Sequence, residues 1–323
     1  MPMDELNLSI DGRAVRGAKG STILEVCMAN DVYVPTLCHI EGLSGSGGCR
    51  LCLVDVEGQK RPVPACMTPA AEGMKVVTNA NQLAAYRRTA LELLLSERNH
   101  FCFFCEKSGD CELQSLCYEF GIDHMSFPAM FPPLALDASA EALAIDNNRC
   151  ILCGRCVRVC SEIVGNNTLD FTKRGSNTVI NEPDLFPLGE SNCVQCGACA
   201  EVCPTGAIFG KLSSYKGRKA QCQVLKTTCC ECPMACDLTV HVRDNNVVLI
   251  AGGGLKGRFG GQLCKKGRFD LLARNYERIA RPRILKGKAQ AETDLSNALE
   301  LASNLLRTIP RKHGKDSVAG IIS

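Results

Sequence analysis

Leu6, Leu8 and Ile10 alternate with polar neighbours and run into Asp11-Gly12, which predicts a β-hairpin at the start of the chain. Thr22 and Glu25 stand three apart before an apolar stretch ending at Ala29, the pattern of a capping box that opens a helix. Residues 81–99 carry the clearest helical period, with Leu83, Tyr86, Ala90 and Leu94 on one stripe. The Pro- and Ala-rich segment 127–140 reads as a linker. Thr293 to Leu306 is expected to be an amphipathic helix, and residues 317–323 a terminal strand. A lone strand leaves its backbone unsatisfied, so this one should pair with the preceding domain or with a partner chain.

Composition sharpens this outline. Among 323 residues there are 23 cysteines, a usage that means either disulfide staples in a secreted protein or metal ligation in a reducing compartment. The start MPMDELNLSI has neither a basic n-region nor an apolar h-region, which argues against a secretory signal. The apolar run near Val247 to Ala251 is far too short to span a bilayer. The expectation is a soluble cytoplasmic protein with reduced thiols and no membrane span. A net charge of +3 gives no nucleic-acid footprint, and five histidines exclude zinc fingers of the two-cysteine, two-histidine type.

The cysteines fall into groups. CILCGRCVRVC (150–160) and CVQCGACAEVC (193–203) are an internal repeat with the Cys-x2-Cys-x2-Cys-x3-Cys spacing of two-cluster bacterial ferredoxins, in which the fourth cysteine of each run ligates the other cluster. One [4Fe–4S] cluster then takes Cys150, Cys153, Cys156 and Cys203, and another takes Cys193, Cys196, Cys199 and Cys160. Gly154 and Gly197 permit the turns. Pro204 follows the last cysteine of the second run, and Ser161 takes that place in the first. An earlier group, Cys38, Cys49, Cys52 and Cys66, has a close pair after the glycine-rich SGSGG loop, which suits a cluster whose sulfurs accept backbone N–H bonds. A zinc ribbon is the rival for this group, and zinc knuckles for the repeat.

PTLCHIEGLSGSGGCRLCLVDVEG followed by ACMTP resembles the N-terminal [2Fe–2S] domain of the large iron–sulfur subunit of respiratory complex I, shared with iron-only hydrogenases and with the diaphorase small subunit of NAD-reducing hydrogenases. NHFCFFCEKSGDCELQ resembles the next domain of those proteins. There the resemblance implies His100, Cys102, Cys105 and Cys111 as ligands of a [4Fe–4S] cluster. The usual three-residue gap between histidine and first cysteine is one residue here, and Arg98, at the usual offset, has no lone pair to offer. Cys117 is the alternative fourth ligand, with His100 then only hydrogen-bonding nearby. Both ferredoxin runs are kept, as in the hydrogenase-linked relatives. Cys229, Cys232, Cys236 and Cys264 resemble the [4Fe–4S] domain of molybdenum or tungsten pterin enzymes such as formate dehydrogenase, where a lysine at the place of Lys266 lies between cluster and pterin. Of the remaining cysteines, Cys27 and Cys222 read as core residues.

The resemblance implies an α+β modular protein. Its parts are a β-grasp [2Fe–2S] ferredoxin-like domain (1–80), a [4Fe–4S] domain with one histidine and three cysteine ligands (81–126), a linker (127–144), a two-[4Fe–4S] ferredoxin domain (145–212), a small β-rich [4Fe–4S] domain of molybdopterin-oxidoreductase type (213–270) and a tail for partner contact (271–323). It would hold one [2Fe–2S] and four [4Fe–4S] clusters and have no active site of its own. The implied function is electron relay within a hetero-oligomer, between a flavin- and NAD(P)H-binding iron–sulfur partner and a catalytic partner. A nickel–iron hydrogenase is the expected catalytic partner, with formate dehydrogenase as runner-up. Alternatives are the front of a formate dehydrogenase or complex I-type large subunit, and a zinc-stabilised scaffold. GGGLKGRFGG (252–261) lacks the strand–glycine–helix context of a dinucleotide site, and no GxSxG, HExxH or P-loop is present. The residues do not reveal electron bifurcation.

Overall fold

The computed structural model describes residues 5–255, 257–273, 280–287 and 289–319. It divides into a unit of Met1–Leu272 and a unit of Ala273–Ser323. The first unit opens with β1 (Glu5–Ile10) and β2 (Arg13–Ala18), paired antiparallel. Asp11 and Gly12 both take positive φ, 49° and 79°, the demand of a two-residue hairpin turn. Helix α1 (Ile23–Ala29) begins at the Thr22–Glu25 capping box. Strands β3 (Leu53–Val56), β4 (Val63–Pro64) and β5 (Lys75–Val77) complete a sheet of order β2-β1-β5-β3-β4, in which β1 and β5 run parallel. Leu6, Leu8 and Ile10 of β1 point at Ile23, Leu24 and Val26 of α1, so one face of the sheet is buried under the helix as in a β-grasp. Cys27 belongs to this core.

Helix α2 (Asn81–Glu97) follows. Its buried face is Leu83, Arg87 and Leu91, and Tyr86, expected on the apolar stripe, is exposed. Arg87 can be buried because its guanidinium donates to the carbonyls of Leu51 (3.0 Å), Leu53 and Thr78 (both 2.9 Å). These bonds tie the helix to the sheet. With α3 (Glu112–Glu119), α2 builds a second apolar cluster around Leu91, Leu113 and Leu116.

The segment expected as a linker ends in two strands, β6 (Leu136–Asp137) and β7 (Leu143–Asp146). Both belong to the ferredoxin region, for β10 (Ile208–Gly210) pairs antiparallel with β7 in the order β10-β7-β6. Between them lie α4 (Arg155–Arg158), continued as a wider helical turn over Val159–Val164, the hairpin β8 (Asp170–Thr172) and β9 (Val179–Asn181), and α5 (Ala198–Val202). The rest of the unit is a meander of β11 (Gln223–Thr228), β12 (Asp237–Arg243) and β13 (Asn246–Gly252), then a helical turn over Lys266–Asp270; the short α6 (Leu271–Ala273) runs across the end of the unit. Leu238, Ile250 and Leu263 form its small core.

The second unit holds a hairpin of β14 (Arg283–Lys286) and β15 (Ala289–Glu292), and α7 (Leu295–His313), capped by Asp294. Leu295, Leu299, Leu305 and Leu306 share one exposed face of α7. Residues 317–319 form no strand, and residues 320–323 of the expected terminal strand lie outside the described residues. Among the described residues no helix is long and apolar enough to cross a membrane.

Candidate metal centres

All 23 cysteines are free of disulfides. The first group is fully buried. Gly45 and Gly47 let its loop pass under Met67, where an added Cβ would come within 2.6 Å of Sδ and 2.9 Å of Cγ. The Sγ atoms of Cys52 and Cys66 stand 3.3 Å apart, and the Leu37 N–H donates to the Cys49 sulfur at 3.4 Å. The thiols of Cys49 and Cys66, with the N–H groups of Cys49 and Gly48, hold the Cys38 sulfur as a thiolate, far below the usual thiol range. Cys49 and Cys66, which give those bonds, are held up. This is a buried, donor-lined pocket built for negatively charged sulfur.

His100, Cys102, Cys105, Cys111 and Cys117 line a second cavity of about 270 Å³. Burial pushes the His100 imidazole down to about 4, and the Leu94 backbone hydrogen-bonds to it. The His100 Nε2 atom is buried without a hydrogen-bond partner. A neutral imidazole with a free lone pair is what a metal requires. Arg98 is absent from this lining. It is buried and turned away, donating to the carbonyls of Ser176 (2.5 Å) and Thr178 (2.6 Å). Burial raises the Cys111 and Cys117 thiols to about 11. Gly206 leaves room for the Cys105 sulfur, which an added Cβ would meet at 2.7 Å.

The tandem repeat extends into backbone detail. Leu152 and Gln195 take φ of 51° and 50°, and Gly154 and Gly197, at the starts of α4 and α5, take 69° and 77°. These turns aim the Leu152 N–H at Cys150 Sγ (3.3 Å) and the Gln195 N–H at Cys193 Sγ (3.4 Å). One cavity is lined by Cys150, Cys153, Cys156 and Cys203, and a separate one by Cys160, Cys193, Cys196 and Cys199. Each run thus sends its fourth cysteine to the other run's cavity. Burial pushes the thiols of Cys150, Cys153, Cys156 and Cys199 up, so these sulfurs stay protonated unless a cation replaces the proton.

In the last group the Cys229 N–H donates to the Cys236 carbonyl at 2.8 Å. Burial and then the neighbouring Cys229, Cys232 and Cys264 sulfurs push the Cys236 thiol up, so the four gather at one place. Gly267 lies against two of them, its added Cβ 3.3 Å from Cys229 Sγ and 4.0 Å from Cys264 Sγ. Cys230 is exposed, and so is Lys266. Among the described residues no three His, Cys, Asp or Glu side chains converge as a ready site for one metal ion. In the two tandem cavities, four sulfurs spread round each cavity suit a multi-iron cluster, whose ligands sit on different metal atoms, better than tetrahedral zinc.

Known proteins reproduce this series of parts. The family described as 2Fe-2S iron-sulfur cluster binding domain matches residues 3–81, and the NADH-ubiquinone oxidoreductase-G iron-sulfur binding region matches 87–126. The 4Fe-4S dicluster domain matches 149–207, and the molybdopterin oxidoreductase Fe4S4 domain 222–272. A solved structure, that of an NAD+-reducing [NiFe]-hydrogenase in the H2-reduced state, superposes with a TM-score of 0.62 at 37% identity, over 67% of this chain and 91% of that one. The chain belongs to the iron–sulfur subunit family of NAD(P)-reducing hydrogenases and the complex I 75 kDa subunit. Within that family it is 34% identical over 316 residues to the NADPH-Fe(3+) oxidoreductase subunit alpha of Geobacter sulfurreducens, covering 98% of this chain and 36% of that relative. It is 37% identical over 152 residues to the NAD-reducing hydrogenase HoxS subunit gamma of Cupriavidus necator, covering 47% of this chain and 64% of the relative.

In this iron–sulfur subunit the thiol groups are linked by arginines that the cysteine spacing does not reveal. Buried Arg155 forms a two-pronged pair with Glu112 (2.7 and 2.9 Å) and donates to the His39 carbonyl at 2.8 Å. Arg158 donates to the carbonyls of Cys38 (2.5 Å), Cys153 (3.3 Å) and Ser44. Arg268 is buried, with Nε 2.7 Å from the Cys196 carbonyl and Nη2 2.6 Å from Glu201. The one sequence signal was charge inside a buried cysteine run: Arg155 and Arg158 both lie between Cys150 and Cys160. Arg268 carried no signal, since it meets Cys196 only through the fold.

Proposed function

We propose that this chain relays electrons between a flavin-bearing, NAD(P)H-handling partner and a catalytic partner, a nickel–iron hydrogenase, in a cytoplasmic hetero-oligomer. Cys38, Cys49, Cys52 and Cys66 would hold a [2Fe–2S] cluster. His100, Cys102, Cys105 and Cys111 would hold the first [4Fe–4S] cluster, His100 being preferred to Cys117 for its unpartnered Nε2. The two tandem cavities would hold one each, and Cys229, Cys232, Cys236 and Cys264 the last. Such clusters, when bound, store and pass single electrons at potentials set by ligands, burial and hydrogen bonds.

The observation that carries this reading is a shared apolar wall. Leu37, Leu51, Leu91, Leu113 and Ile151 form one cluster that includes Cys38 and Cys49 of the first group, Cys111 and Cys117 beside the second, and Cys153 of the third. This apolar wall is shared by side chains of three thiol groups. Another cluster joins both tandem cavities, since it contains Cys150, Cys156 and Cys203 with Cys160, Cys193 and Cys199. Sites packed wall to wall serve transfer, whereas a scaffold would need no such contact.

A second reading is the electron-input part of a formate dehydrogenase, favoured by the molybdopterin-type match over 222–272 and by Lys266, exposed beside Cys264. Metal analysis of the natively purified, oxygen-free complex separates the two. Nickel with about 18 iron atoms per copy of this chain, besides the partners' own iron, is the expected result. Molybdenum or tungsten without nickel would move the chain to the second reading. Zinc in place of iron would overturn both.

A further inference from the structure

The last thiol group's region meets the tandem region through several side chains, among them buried Phe269, which joins the tandem core, Gln262, which donates to the Ile163 carbonyl, and one buried cation, Arg268. Arg268 lies four residues after Cys264, and its N–H donates to the Cys264 carbonyl at 3.1 Å. Its guanidinium crosses to the other region, where Nε donates to the Cys196 carbonyl at 2.7 Å and Nη2 pairs with Glu201 at 2.6 Å. Nη1 donates to the Ile250 carbonyl on β13 at 3.4 Å. Gly197 makes the crossing feasible, because an added Cβ would stand 2.4 Å from Arg268 Cδ. The Arg268 side chain is 4% exposed and Glu201 24%, so solvent screens little of the guanidinium charge.

We propose that Arg268 is a positioning residue that helps dock the Cys229–Cys264 group on the second tandem cavity, and that Arg268 and Glu201 act in opposition on the reduction potential of a cluster held by Cys193, Cys196, Cys199 and Cys160. The proposal rests on the relay reading. Taking up one electron adds one negative charge and breaks no bond. A permanent cation at the Cys196 backbone stabilises the reduced form and raises the potential. The Glu201 carboxylate offsets part of that effect. Removing either partner therefore moves the potential in opposite directions, which a purely structural disturbance would not do.

The test is an anaerobic redox titration of the intact complex followed by electron paramagnetic resonance, with iron per chain measured first. Arg268→Met should lower the midpoint of one [4Fe–4S] signal by about 59 mV, a tenfold change in the one-electron equilibrium. Glu201→Gln should raise the same midpoint, and Arg268→Lys should keep it nearer the parent value. Should Arg268→Met fail to load iron, Glu201→Gln alone decides by its upward shift. Unchanged midpoints, or shifts of one sign in both variants, overturn the proposal. An iron-free parent complex would instead overturn the relay reading itself, and this proposal with it.

Discussion

Around Cys150, Cys153 and Cys156 the protein is closed, and around Cys193, Cys196 and Cys199 it is half open. Ile151 is buried, whereas Val194 at the matching place in the second run is 54% exposed. The first run carries Arg155 and Arg158, the second Ala198 and Glu201. The first reaches out with its own arginines to Glu112 and to the Cys38 and His39 carbonyls, while the second receives Arg268 from the following region. Even the helix ends differ. Ser161 lets the first helix run on to Val164, where Pro204 stops the second. The copies have kept the turns that aim sulfur and diverged where each meets a neighbour. A duplicated cluster frame can thus present two environments, one insulated and one addressable from outside.

The sharpest way to break this comparison is to exchange the fourth cysteines. Cys160 belongs to the first run in sequence and to the second cavity in space. Cys160→Ser should therefore lose the same paramagnetic signal as Cys196→Ser, with about four irons per chain. Cys203→Ser should match Cys153→Ser. If Cys160→Ser instead behaved like Cys153→Ser, the crossed arrangement would be wrong.

The next effect compares the two glycines. Alanine at either position must adopt a left-handed backbone, costing about 1–2 kcal/mol. At Gly154 the new methyl would meet Phe171 Cζ at 3.1 Å, the edge of a ring that is 45% exposed and free to yield. At Gly197 it would strike Arg268 Cδ at 2.4 Å and Phe269 Cζ at 2.8 Å, both on buried side chains. Gly197→Ala should cost about 2 kcal/mol more than Gly154→Ala in denaturant unfolding. Equal losses would show that Arg268 is loosely held.

The sequence made these comparisons only partly visible. Alternation at Leu6, Leu8 and Ile10, the Thr22–Glu25 cap and the tandem spacing are local signals, and each formed as expected. Long-range charge was not legible. Tyr86 and Arg87 are adjacent on α2, and a hydrophobicity pattern favours the tyrosine for burial. The three carbonyls that bury Arg87 lie up to 36 residues away, so no local rule could find them. Arg98 is a similar case: its place at the usual histidine offset says nothing of the Ser176 and Thr178 carbonyls that draw it away. Strand β11 is exposed along its whole length and shows no alternation at all.

The smallest effect concerns how the neighbouring regions respond to acid. The first run is attached by arginines, which do not titrate. Beside the second run, His241 on β12 lines a cavity with Ala200, Glu201 and Arg268, and its buried Nδ1 has no partner. Burial, and then Lys219, lowers the His241 pKa below its ordinary 6.5, and Asp110 opposes them. The unfolded chain therefore binds a proton more readily than the folded one in the interval just under 6.5. Stability from this group is complete above about 6.5 and is lost as pH falls through that interval. His241→Gln removes the proton uptake, so its unfolding midpoint should fall less with acid than the parent's. Parallel curves for the two proteins would mean that His241 gains a proton without strain.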